Sequence, residues 1–185
     1  MKKSFFEDQS LPGESLMTNL SKIINTHGRD LEVLAAASEP LVDVHNVVHV
    51  ISPRELIDVV NIISNHKFEI KKDNFSSFLS LELWYGIVSI ETATPQHPWD
   101  EQSATEDICF SIRLKNIVFN DFEKLNKLNT NYPSLQIFCE TDGSLVIRSF
   151  QTLRGGRTLE NLLWSVIYLF HDSERIYKDL SVFTD

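Results

Sequence analysis

The segment His45-Asn46-Val47-Val48-His49 has the histidine spacing of the zincin motif. In that motif, two imidazoles one helical turn apart share a zinc ion and an intervening glutamate acts as base. Here Asn46 stands where the glutamate belongs, and Val42, Val44, Val47, Val48 and Val50 favour an extended arm or an extra strand over a helix. Four residues of extended chain would set the imidazoles ~13 Å apart, too far to share a metal. The expectation is no metal site, and no stoichiometric zinc in purified protein.

A second candidate is the stretch carrying Arg148, Arg154 and Arg157, which holds no acid from 148 to 157. Gly155 and Gly156 stand just before a helix start, where exposed backbone N–H groups attract anions. The stretch lacks the lysine and spacing of a phosphate-binding P-loop, so turn formation is the plainer role of the glycine pair. Arg154, Gly155, Gly156 and Arg157 stand as a candidate surface for an anion or an acidic partner. The third candidate is the loop from Ala93 to Asp107, with His97, Trp99, Asp100, Glu101, Glu106 and Asp107. Its acids lack the alternate spacing and glycine of a calcium-binding EF-hand loop. Trp99, with Asp100 and Glu101 beside it, is the residue best suited to recognition, because an exposed Trp offers a large contact area.

Nothing else in the sequence points to chemistry. Cys109 and Cys139 are far apart and form neither a CxxC pair nor a zinc set; they read as reduced, buried thiols. There is no G-x-S-x-G elbow and no glycine-rich nucleotide loop. No catalytic or cofactor-binding residue is therefore named, and an enzyme is the runner-up class.

Composition narrows the partners. The chain has 185 residues, with 17 Lys+Arg against 26 Asp+Glu and a net charge of −9. That balance opposes a nucleic-acid surface spread over the molecule, because phosphates are held by cations, and it opposes docking to an anionic membrane. Five acids and no Lys or Arg lie between residues 91 and 107, so part of the charge is concentrated in the candidate loop. The N-terminal Met1-Lys2-Lys3 is followed by no apolar signal core. Apolar runs such as Val33 to Ala37 and Val166 to Phe170 are far below the ~20 residues of a membrane span. A cytoplasmic location is expected.

The elements that must position these residues follow from pattern. Leu16, Leu20, Ile23 and Ile24 trace a helix ahead of Gly28, and a shorter one follows over roughly Leu31 to Ala37. Ser52-Pro53-Arg54-Glu55 is a capping box with proline at the first helical position, opening a helix over Pro53–Asn65. Strands are expected over Phe68–Lys71, Phe75–Leu83, Ile87–Thr92 and Ile108–Leu114. A helix capped by Asn120 and carrying Phe122, Leu125 and Leu128 comes next. Leu135–Thr141 and Ser144–Phe150 form a hairpin about Asp142-Gly143, with Phe138 and Ile147 on one face and Cys139 and Val146 on the other. Both faces thus carry apolar side chains, as in a sheet covered on both sides. Thr158 caps a final long amphipathic helix over Leu159–Leu180. Segregated antiparallel strands and helices indicate an α+β fold.

From about Pro53 to Leu180 the sequence resembles the YbjN domain family, described as putative bacterial sensory transduction regulators with a fold similar to type III secretion chaperones. The resemblance rests on Leu125-Asn126-Lys127-Leu128-Asn129, on Glu140-Thr141-Asp142-Gly143-Ser144-Leu145-Val146, and on Gly155-Gly156-Arg157-Thr158-Leu159-Glu160-Asn161-Leu162. Where family members often carry Trp-Asn near the end of the middle helix, this chain has Leu128 and Asn129. The resemblance implies no catalytic residues.

The sequence thus describes an N-terminal helical extension, 1–48, ahead of a YbjN-like α+β domain, 49–185, in which an antiparallel sheet packs against helices. The expected function is non-enzymatic: an intracellular protein-interaction module, regulatory or chaperone-like, working as a homodimer with a protein partner. A small-ligand sensor or an enzyme of unknown reaction is the alternative. No cofactor is implied.

Overall fold

The computed structural model describes residues 12–26, 29–38, 42–63, 68–72, 77–92 and 103–181. Helices α1 (Pro12–Asn25) and α2 (Arg29–Ala36) lead the chain. They bury Leu20, Ile23, Leu31 and Ala35 in the same core as the rest of the protein. The valine-rich segment then supplies only a two-residue strand, β1 (Val47–Val48). Helix α3 (Pro53–Asn61) begins as its capping box requires. Ser52 Oγ accepts from the Glu55 N–H at 3.3 Å, and the Glu55 carboxylate accepts from the Ser52 N–H at 2.8 Å. The helix ends four residues earlier than its apolar pattern predicts. Ile62 and Ile63 donate back three residues instead of four, which tightens the chain and buries both side chains.

Strands β2 (Glu69–Lys72), β3 (Ser77–Glu82), β4 (Gly86–Thr92) and β5 (Asp107–Val118) follow, then α4 (Phe122–Asn131), β6 (Gln136–Cys139), β7 (Ser144–Thr152), β8 (Arg157–Thr158) and α5 (Leu159–Ser181). The main sheet has six antiparallel strands in the order β2-β3-β4-β5-β7-β6, while β1 and β8 form a small second sheet. The α+β class is therefore as expected. Leu79, Val88, Ile90, Ile108, Phe110, Ile112 and Ile147 point to one face of the main sheet. There they meet Leu162, Leu163, Val166, Phe170 and Ile176 in a single core. Each such side chain contributes about 1.5–3 kcal/mol by leaving water. Helix α5 lies over β5 and β7, with α1 and α3 beside it.

Three local expectations are corrected. Strand β5 continues past Leu114 to Val118 because a bulge between Arg113 and Val118 absorbs Asn116, at φ 57, without ending the strand. Helix α4 is capped by Asp121, whose carboxylate accepts from the Lys124 N–H at 3.0 Å. The cap is therefore not Asn120, and Phe122 at the first helical position is 73% exposed and outside the buried stripe. The hairpin is shifted by one residue. A two-residue Asp142-Gly143 turn would pair Phe138 with Ile147, but the observed partners are Phe138 with Val146 and Cys139 with Leu145. The Glu140 N–H donates to the Ser144 carbonyl at 2.9 Å, the Gly143 N–H donates to the Glu140 carbonyl at 3.0 Å, and Gly143 sits at φ 82. The loop is thus Thr141-Asp142-Gly143, the three-residue form with glycine in the left-handed region. A one-residue shift exchanges faces, and here it sets Phe138 beside Val146 on the side away from the helices.

Candidate interaction surface

The second face of the main sheet is built from alternate residues of the strands that bury the core. Register aligns its side chains in three rows. Ile87, Arg113, Val146 and Phe138 form the first; Ser89, Ser111, Arg148 and Gln136 the second; Glu91, Cys109 and Phe150 the third. Ser89 and Ser111 are small, so the middle of the sheet is low, and a cavity of about 260 Å³ opens over them with Arg148 as one wall.

Arg148 is held by two aromatic rings. Its guanidinium carbon lies 4.8 Å from the centre of the Phe138 ring and 5.8 Å from that of Phe150, within the range of cation–π attraction. Two further cations of this face are neutralised: Arg113 pairs with Glu140 and, at 3.2 Å, with Asp142, and Lys115 pairs with Glu82. No acid among the described residues pairs with Arg148, and its Nε is buried without an acceptor. Burial pushes the Cys109 thiol up to about 11, Arg148 pulling it down and Glu91 raising it. Cys109 is therefore a neutral thiol at pH 7 and a poor nucleophile.

Trp99, Asp100 and Glu101 lie outside the described residues. The arginine-glycine stretch is described throughout, and both of its candidate arginines already have partners within the protein. Arg154 pairs with Glu106 at 3.1 Å and Asp107 at 2.9 Å, so the basic stretch meets the C-terminal end of the acidic loop. Gly155 and Gly156, at φ 84 and 89, form the turn before β8. A side chain on Gly156 would press on Val47 and His49. Arg157 bonds to Gln151 and, at 2.8 Å, to Ser165 Oγ. The donors that would hold an anion are already engaged: the N–H groups of Leu159 and Glu160 bond to the carbonyls of Asn46 and Val44 at 3.1 and 2.8 Å. The next, that of Asn161, reaches Thr158 Oγ1 at 3.3 Å, which makes Thr158 the cap its position predicts.

His45 and His49 go to different neighbours. The His45 ring lies 3.5 Å from Glu32 and 3.8 Å from Glu160, whereas His49 packs over Gly156. Among the described residues, no group of three or more His, Cys, Asp or Glu side chains comes together as a metal site. A second cavity, of about 220 Å³, lies between the arm and α3, lined by Val48, Ile51 and Leu159 and rimmed by Asp43, Glu55 and Asp58.

Sequence reasoning did not single out Phe138 and Phe150 around Arg148. The period-two run Val146, Arg148, Phe150 was the available signal, since it puts a guanidinium between apolar neighbours on one face.

Fold and surface together define an α+β domain with helices over one sheet face and a mixed aromatic and polar second face. No protein-family model matches the chain, and no curated protein matches it. No helix among the described residues is long and apolar enough to cross a membrane.

Proposed function

We propose that the protein is a non-enzymatic interaction module, regulatory or chaperone-like, that binds a protein partner through the open sheet face and works as a homodimer. The observation that carries the reading is that face itself: Phe150, 50% exposed, stands beside a cation that has no acid partner among the described residues, and Ile87, 39% exposed, lies two strands across on the same face. Apolar area bordered by directional polar groups is the usual make-up of a recognition surface. The order of elements from α3 to α5, one helix, strands, a helix, a hairpin and a last helix, supports the YbjN-like and chaperone-like reading. Two free thiols accord with a reducing cytoplasm.

Capture of partners from native lysate, with mass spectrometry and light scattering on the purified chain, tests this. A retained protein and a dimer are expected. Capture of nothing, together with a small molecule that raises the melting temperature, would replace the reading with that of a ligand sensor, for which the cavity between the arm and α3 is the place to look.

A further inference from the structure

We infer that Arg148 anchors a carboxylate-binding pocket on the open sheet face, and that its occupant is an acidic side chain of a bound polypeptide segment. The inference rests on the interaction reading above and names the chemistry of the partner.

The guanidinium is preorganised. Phe138 and Phe150 flank it at 4.8 and 5.8 Å, so part of its rotamer freedom is already lost before a ligand arrives. It is also incomplete. A partly buried guanidinium whose Nε lacks an acceptor carries an uncompensated desolvation penalty, while its neighbours Arg113 and Lys115 already have their carboxylates. The Nε is closed off from solvent, so a ligand meets the terminal Nη groups, and a planar carboxylate is the group a guanidinium binds most strongly there. Ser111 and Ser89 continue the row of Arg148 across β5 and β4. Ser111 Oγ donates to the Ser89 carbonyl at a long 3.4 Å, a bond it can exchange for one to the second carboxylate oxygen, and the small size of both serines leaves the cavity that receives it.

The surroundings select the kind of acid. Phe150 and Ile87 are exposed on either side of the serine row, and offer contact to apolar residues flanking the carboxylate along an extended segment. Glu91 borders the same cavity and the chain carries a net charge of −9, so a polyacidic run is repelled. A single Asp or Glu set among apolar residues fits.

The test uses the full chain against an array of 12-residue peptides, each with one central Asp or Glu among apolar residues, alongside the same peptides with Asn or Gln. The acidic members should bind at least about tenfold more tightly, the scale of one charge-assisted hydrogen-bond pair. Arg148→Met should abolish that ratio at an unchanged melting temperature, and the Arg148 Nε–H resonance of the unaltered protein should shift on peptide addition. A folded Arg148→Met protein that keeps the ratio would overturn the inference. Should that variant not fold, an unmoved Nε–H resonance overturns it by itself. Peptides that bind with no preference for the acid sink this inference and leave the interaction reading standing. If no peptide binds and succinate alone moves the resonance, the pocket takes small acids and both readings fall.

Discussion

The Asn129 side chain is bonded twice to the backbone of Ile137. Its Nδ2 donates to the Ile137 carbonyl at 2.8 Å, and its Oδ1 accepts from the Ile137 N–H at 2.9 Å. Ile137 lies on β6, an edge of the six-stranded sheet, where outward N–H and C=O groups would otherwise invite another strand. One amide side chain on α4 thus acts as a single residue of a seventh strand. Leu128, buried one residue before it, keeps the helix seated.

Replacing Asn129 by Ala should therefore lower stability by about 1–2 kcal/mol, since two backbone groups lose directed partners. Urea denaturation measures the loss, and light scattering should report more self-association through the uncovered edge. A midpoint unchanged from the unaltered protein would show that the clasp contributes nothing.

Gly143 controls which face Phe138 joins. Ala there must adopt φ near 82 and bring its Cβ to 3.0 Å from Val118 Cγ1, a loss of ~1–2 kcal/mol. Asn tolerates the left-handed region better, so Gly143→Asn should be the milder variant. Equal urea midpoints for the two variants would contradict the account.

Tyr85 is fully buried and its hydroxyl donates to the Phe170 carbonyl at 3.0 Å. Burial, then the nearby Glu174 charge, raises its pKa well above 10.0. Below pH ~10 the phenol is protonated in both folded and unfolded chains, and its stabilising contribution is complete. As the pH rises through the unfolded value toward the higher folded one, the unfolded chain loses its proton first, and stability falls. Tyr85→Phe should remove about 1 kcal/mol at pH 7 and flatten the decline above pH 10. Parallel alkaline melting curves for the two proteins would refute this.

Arg154 and Arg157 look alike in sequence and differ in the fold. Arg154 is exposed in a surface cluster with Glu106 and Asp107, a type worth ~0.2–1 kcal/mol and sensitive to salt. Arg157 is half-buried, and its bonds tie β7 to the first turns of α5. Arg157→Ala should lower the melting temperature more than Arg154→Ala, and added salt should narrow only the Arg154 effect. The reverse order would mean that the surface cluster is the stronger tie.

Signals local to a few residues were legible. Ser52 to Glu55 announced α3, Thr158 announced α5, and alternation along β4 and β7 announced the sheet. What escaped depends on partners distant in sequence. The loop at Gly143 adds one residue that Asp-Gly alone does not reveal, and that residue decides whether Phe138 meets the core or Arg148. Asn116 lies beyond Leu114, where the sequence pattern ends the strand, and only the neighbouring strand holds it in a bulge. Arg148 was visible as part of a basic stretch, but its aromatic neighbours come from β6 and from two positions along β7, a juxtaposition that only register creates.

Val44 and Asn46 lie far ahead of α5 in sequence, yet their carbonyls receive the first two N–H groups of that helix. The longest helix of the protein therefore borrows its beginning from the start of the chain. A version trimmed to residues 49–185 would expose the end of that helix along with the β8 partner of β1. Folding must close a loop spanning most of the sequence before the last helix is finished at its N-terminus. Residues 44–48 are then part of the fold's closure, and they should unfold together with α5.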